Sequence, residues 1–142
     1  MKNILVPYDF TNFADAALKK AIEIAKKFDS KITLFNVIGS NTDTTGMSWS
    51  RAQEVHDEVE KQVTNDLNKI KESIKDTDIS VEIRHNPSTI DGILSFADTD
   101  KIDLIVMGSH GRSGFKKLVL GSVASGVIAK ANCSVFIAKS PK

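Results

Sequence analysis

The sequence predicts a single α/β domain, a parallel sheet covered by helices on both faces, and three observations predict it. Short continuous apolar runs recur along the 142 residues, as strands buried on both faces require. Between them lie longer segments whose apolar residues fall three and four apart, the period of one helix face. The two kinds of segment alternate, which is the pattern of right-handed βαβ units.

The first run, Ile4-Leu5-Val6, stops at Pro7. Ala14, Ala17, Leu18, Ala21, Ile22, Ala25 and Phe28 then mark a helix face, with Thr11 or Asn12 available to cap its start. Ile32, Leu34, Phe35, Val37 and Ile38 read as a second strand. The polar stretch from Gly39 to Ser48 reads as a mobile loop. Val55, Val59, Val63, Leu67, Ile70 and Ile74 follow at helical spacing, on a long amphipathic helix whose other face carries mixed charges.

Ile79, Val81 and Ile83 alternate with polar residues, which predicts a third strand near a sheet edge. A short helix after Pro87 presents Ile90, Ile93, Leu94 and Ala97. Leu104 to Met107 form a fourth buried strand. Val123, Val127, Ile128 and Ala131 mark a fourth helix, and Val135, Phe136 and Ile137 a fifth strand. No second domain, internal repeat or low-complexity tract interrupts residues 1–142.

Bulk properties narrow the function. A chain of 142 residues buries enough surface to fold without disulfides or a structural metal. The formal net charge of +1, with signs alternating along the chain, disfavours nucleic acid as a partner. The single cysteine, Cys133, forms no intrachain disulfide and reads as a small buried residue beside a strand. The first ten residues do not read as a signal peptide, and no run approaches the roughly 18 apolar residues of a membrane span. The expected compartment is the cytoplasm, with no membrane partner.

The informative stretch begins Gly108-Ser109-His110-Gly111-Arg112-Ser113-Gly114 and ends Gly121-Ser122-Val123-Ala124. It joins the end of the fourth strand to the start of the fourth helix. Ligands of open α/β sheets bind outside the carboxyl ends of the strands. Glycines let backbone approach a ligand, and successive amides then form an anion-binding concavity. Ser122 reads as the helix cap, with the amides of Ser122, Val123 and Ala124 pointing outward to an anion. Ser109, Ser113 and Ser122 add hydroxyls, and Arg112 adds a permanent charge. The plain alternative is a glycine-rich connection. No P-loop sequence occurs, and no G-x-G-x-x-G follows the first strand.

The spacing Gly108-x-x-Gly111, nine residues, then Gly121-Ser122 resembles the nucleotide-binding signature of the universal stress protein (UspA-like) family. Pro7-Tyr8-Asp9 after the first strand and Val37 in the second agree with it, and the resemblance covers essentially the whole chain. It implies a three-layer α/β/α domain with a five-stranded parallel sheet of order 3-2-1-4-5, of the adenine nucleotide alpha hydrolase-like, Rossmann-like kind. It also implies ATP between the ends of strands one and four. By that resemblance Pro7, Tyr8, Asp9 and Val37 surround adenine and ribose, and Met107 and Gly108 line base and sugar. Ser109, His110, Gly111, Arg112, Gly121, Ser122, Val123 and Ala124 hold phosphates. Ala124 stands where a hydroxyl residue is common. The chain keeps every glycine of the signature, which places it with the ATP-binding members; AMP or ADP fit the same loop, and Mg2+ is expected with the phosphates.

Several residues have two readings. Asp9 either holds ribose or a phosphate-bound cation, or caps the first helix ahead of Thr11. His110 either touches phosphate or shapes the turn. His56, His85, Lys116 and Lys117 read as solvated, and Trp49 as an anchor beside the loop. The fifth strand, with Val135, Phe136 and Ile137, is an exposed sheet edge. The family resemblance makes it the expected seam of a homodimer. A nucleotide-dependent stress-response module with little turnover is therefore expected. The alternatives are a slow ATP hydrolase or phosphotransferase and a non-binding dimeric scaffold. A phosphoacceptor receiver domain is rejected, because the third strand ends Arg84-His85-Asn86 without an acceptor aspartate.

Overall fold

The computed structural model describes residues 1–39, 45–110 and 120–140. Along these residues the elements are β1 (Asn3–Pro7), α1 (Asn12–Phe28), β2 (Lys31–Ile38), α2 (Trp49–Ser73), β3 (Asp78–His85), α3 (Thr89–Thr99), β4 (Leu104–Gly108), α4 (Ser122–Lys130) and β5 (Ser134–Ala138). The strands form one five-stranded sheet of order β3-β2-β1-β4-β5. Every pairing is parallel, with Ile4 against both Ile32 and Leu104. The expected fold, strand order and both edge strands are therefore present.

Side chains alternate across the sheet, so each strand feeds two cores. On one face Ile4, Val6, Tyr8, Ile32, Leu34, Leu104 and Val106 pack with α1 and with Leu67 of α2. On the other, Leu5, Phe35, Ile105 and Met107 pack with Ile93, Phe96 and Ala97 of α3 and Ala124 and Val127 of α4. Close approach has a price in side chains: a Cβ at Gly126 of α4 would lie 2.4 Å from Ile90 of α3. At the amino-terminal end of the two inner strands β1 and β4, the amides of Lys2 and Asn3 donate to Oδ2 of Asp103, at 2.9 and 2.8 Å. Those bonds favour the ionised form and hold the Asp103 carboxyl below its ordinary range.

Helix starts follow capping chemistry. Thr11, Ser48 and Ser88 each accept an amide of the first turn through the side chain. The fourth helix differs from expectation. Ser122 is its first helical residue, and Gly121, extended at φ −64° and ψ 164°, is the N-cap, with no side-chain cap bond.

Other departures have simple causes. Phe28, expected on the buried face of α1, closes that helix's last turn and is 57% exposed. Ile128 on α4 is likewise exposed. Cys133 precedes β5 and is only partly buried; burial, aided by Asp98, pushes its thiol above the usual value and keeps it protonated. Of the Gly39–Ser48 loop, residues 40–44 lie outside the described residues.

Helix α2 is mostly solvated, and Leu67 is its one fully buried side chain. Leu67→Ala is expected to cost about 2–5 kcal/mol, read as a lower urea midpoint.

Candidate functional site

Strand order reverses between β1 and β4, because β1 leads into α1 on one face and β4 into α4 on the other. The connections that leave the carboxyl ends of those two strands therefore diverge to opposite faces, at the position where such folds bind ligands.

The floor of this crevice is set by glycine. A Cβ on Gly108 would lie 2.7 Å from the backbone of Phe13, so α1 packs against the end of β4 only because that position has no side chain. Beyond it, the Gly121 amide donates to the Ser109 carbonyl at 2.7 Å. That bond brings the start of α4 back to the end of β4. A Cβ on Gly121 would stand 3.1 Å from the Ser109 carbonyl oxygen and 3.2 Å from His110 Cα, tighter than ordinary contact. Ser109 Oγ and His110 Nδ1 are 3.0 Å apart, and the His110 ring packs 5.2 Å from the ring of Phe13. The second, turn-shaping reading of His110 has these two contacts in its favour.

Helix α4 opens toward the crevice without a side-chain cap. Its first helical bond runs from the Ser125 amide to the Gly121 carbonyl. The amides of Ser122, Val123 and Ala124 find no acceptor among the described residues. Unsatisfied amides at a helix start carry partial positive charge. Val123 is half-buried and Ala124 buried against the α3/α4 core, so these amides are held rigidly.

Pro7, Val37 and Met107 occupy the odd positions of β1, β2 and β4, the face that also carries Leu5, Phe35 and Ile105. All three stand toward the carboxyl end of their strands on that face. Met107 is 5% exposed, and Val37 abuts Gly92 of α3, where a Cβ would lie 2.8 Å from its methyl group.

Tyr8 lies on the opposite face. Its ring is buried in the α1/α2 core and meets Phe10 edge-on at 5.1 Å. Its hydroxyl donates to Oδ1 of Asp15 in the first turn of α1. Asp9 accepts the Thr11 hydroxyl at 2.6 Å and the Thr11 amide at 3.2 Å, while Thr11 caps Ala14. Asp9 thus braces the capping residue and is not itself the cap. Gly111 and Arg112, with Ser113, Lys116 and Lys117, lie outside the described residues.

Phe13, Asp15 and Asn36 touch this arrangement and escaped the sequence reading. Phe13 lies off the apolar stripe of α1, and Asp15 looks like an ordinary first-turn acid. Asn36 alone left a signal, as an amide inside the apolar run of β2.

Burial raises the Tyr8 pKa above its ordinary 10.0, and the bond to Asp15 with the charges of Asp15 and Asp9 raises it further. A raised folded pKa means stability that is complete below the ordinary value and is lost as pH climbs through the folded one. Tyr8 is the single tyrosine, so tyrosinate absorbance reports it alone. Its midpoint in the native protein is expected above that of the denatured chain, and Asp15→Asn is expected to lower it.

The comparisons agree with this architecture. A model of the universal stress protein family matches residues 1–139. Universal stress protein MJ0531 of Methanocaldococcus jannaschii is 32% identical over 99% of this chain and 84% of its own length. The solved structure of MJ0577 from the same organism superposes with TM-score 0.84 at 28% identity, covering 99% of this chain and 97% of that one. A universal stress protein of Archaeoglobus fulgidus, solved in complex with dAMP, shares the fold at TM-score 0.66 and 22% identity, with 98% of each chain covered.

Proposed function

This chain belongs to the universal stress protein family, and from that premise we propose that it binds an adenine nucleotide, foremost ATP, in the crevice between β1 and β4. The observation that carries the reading is the start of α4. Three amides there lack acceptors among the described residues, and the Gly121–Ser109 bond fixes them beside the end of β4. Such a helix end favours an anion by about 0.3–1 kcal/mol, up to about 2 where partly buried. The hydroxyls of Ser109 and Ser122 lie in the same segment and suit phosphate oxygens. Gly111 and Arg112 join the phosphate set on sequence grounds. Pro7, Val37 and Met107 offer the apolar wall that a purine needs, and the A. fulgidus relative with dAMP makes an adenine nucleotide the natural class.

Among the described residues no three His, Cys, Asp or Glu side chains cluster as a metal site. Mg2+ would then bind chiefly through the phosphates, with Asp9 as a candidate protein carboxylate on the β1 side. The functional mode is a nucleotide-dependent stress-response or signalling module with little turnover. Occupancy acts on partners only through different nucleotide affinity in two conformations. A slow hydrolase is the competing reading, and phosphate release within seconds in a single-turnover assay would favour it. In calorimetry, ATP is expected to saturate the protein with Mg2+ present. Gly121→Val is expected to abolish that heat while the far-ultraviolet circular dichroism stays native.

The second copy of the chain is proposed to dock on β5. That strand is a sheet edge, paired only with β4 among the described residues, and Phe136 on β5 and Ile128 on α4 remain exposed. No helix among the described residues is long and apolar enough to cross a membrane. Sedimentation is expected to give a dimer at micromolar concentration, and Phe136→Lys is expected to give a monomer.

A further inference from the structure

The turn that follows β1 is held in part by residues outside the set assigned to the ligand. The Tyr8 amide still pairs with β2, donating to the Phe35 carbonyl at 2.7 Å. In a parallel pair the next rung would offer the Val37 amide to the Tyr8 carbonyl. Here that carbonyl accepts Nδ2 of Asn36 at 2.8 Å, and β1 ends at Pro7. A side chain replaces the rung, so the backbone leaves the sheet while remaining tied to it.

The other end of Tyr8 is tied as well, through its hydroxyl to Asp15. Between these ties stands Phe10, at φ 65°. That left-handed conformation is costly for a bulky residue and persists only where the surroundings over-determine it. The Tyr8 ring against Phe10 and the Asp9–Thr11 bonds supply that determination.

Asn36 is half-buried on the strand face that carries Ile32 and Leu34. Its amide is explained by what it holds. The Tyr8 carbonyl belongs to the same rigid plane as the Asp9 amide, so fixing one direction fixes the other, and with it the origin of the Asp9 side chain.

We propose that Asn36 is a positioning residue of the nucleotide site, which orients the Tyr8–Asp9 peptide so that Asp9 and Pro7 stand correctly for sugar and base. The inference rests on the nucleotide reading above and deepens it. Asn36 touches no ligand in this scheme; it acts through the backbone of Tyr8.

The test compares ATP affinity with stability in three proteins by calorimetry and thermal unfolding. Asn36→Leu keeps the size of the side chain and removes the donor. Ile79→Val, in the core under β3, lowers stability away from the site. Asn36→Leu is expected to weaken ATP about tenfold, as loss of a positioning hydrogen bond does, while Ile79→Val binds as the parent does. Asn36→Ala is read in the same way should the leucine variant not fold. If the parent binds ATP and Asn36→Leu stays within about twofold of it, the inference is wrong and the nucleotide reading stands. Equal losses in the Asn36 and Ile79 variants overturn it too, since stability alone would then set affinity. A parent protein that binds no ATP overturns the nucleotide reading itself, and this inference with it.

Discussion

The Gly121 amide donating to the Ser109 carbonyl at 2.7 Å decides where α4 begins. Without it the first turn of α4 would be located only by packing of Val123 and Ala124 on the α3/α4 core. With it, the amides of Ser122 to Ala124 stand at a fixed place beside the end of β4. The bond needs both residues close, and closeness excludes a Cβ at Gly121. A hydroxyl or carboxylate side chain at that N-cap would also supply its own oxygen to the first-turn amides, as Thr11, Ser48 and Ser88 do at the other helix starts. Glycine thus serves twice, by allowing the contact and by leaving the helix end open to an outside acceptor.

The two cores divide the labour of the crevice. The α1/α2 face holds the turn after β1 by burying Tyr8 and Phe10 and tying the tyrosine hydroxyl to Asp15. The α3/α4 face supplies the apolar wall of Pro7, Val37 and Met107. Alternation along β1 places Pro7 on one side and Tyr8 on the other, so a two-residue segment serves both.

Most of the fold was legible because its signals are local. Continuous apolar runs mark strands buried on two faces, and Ile4-Leu5-Val6 and Leu104 to Met107 behave as that rule says. Weaker alternation marked β3 as an edge, since Ser80 and Glu82 face away from the α1/α2 core. Phe28 misled because helical period continues to the last turn, whether or not the sheet beneath does. Ser122 misled because a hydroxyl residue at a helix start resembles a cap, and only backbone geometry separates N-cap from first helical residue. The ligand-side assignments of Tyr8 and Asp9 came from a motif, which fixes neighbours along the chain and says nothing of the face. The ring of Tyr8 enters the far core, and the bonds of Asp9 to Thr11 depend on how the turn closes. Asn36 needed two strands and a turn assembled before its partner became visible.

The strength of a helix end also bears on what the crevice accepts. Even in partly buried geometry an α-helix terminus adds about 2 kcal/mol toward an anion, roughly thirtyfold in affinity. That is too little to hold a small phosphate tightly once the lost freedom of the ligand is counted. Tight retention therefore requires a second contribution, and the apolar wall of Pro7, Val37 and Met107 is placed to give it. Burying a flat ring there gains in proportion to the apolar area covered, and that area falls to Pro7 and Val37, since Met107 is already buried. An inorganic anion covers none, whereas a purine nucleotide couples both terms in one molecule. On the proposed reading the protein discriminates by this coupling: phosphate amides alone would accept many anions weakly, and the wall alone would accept many apolar rings.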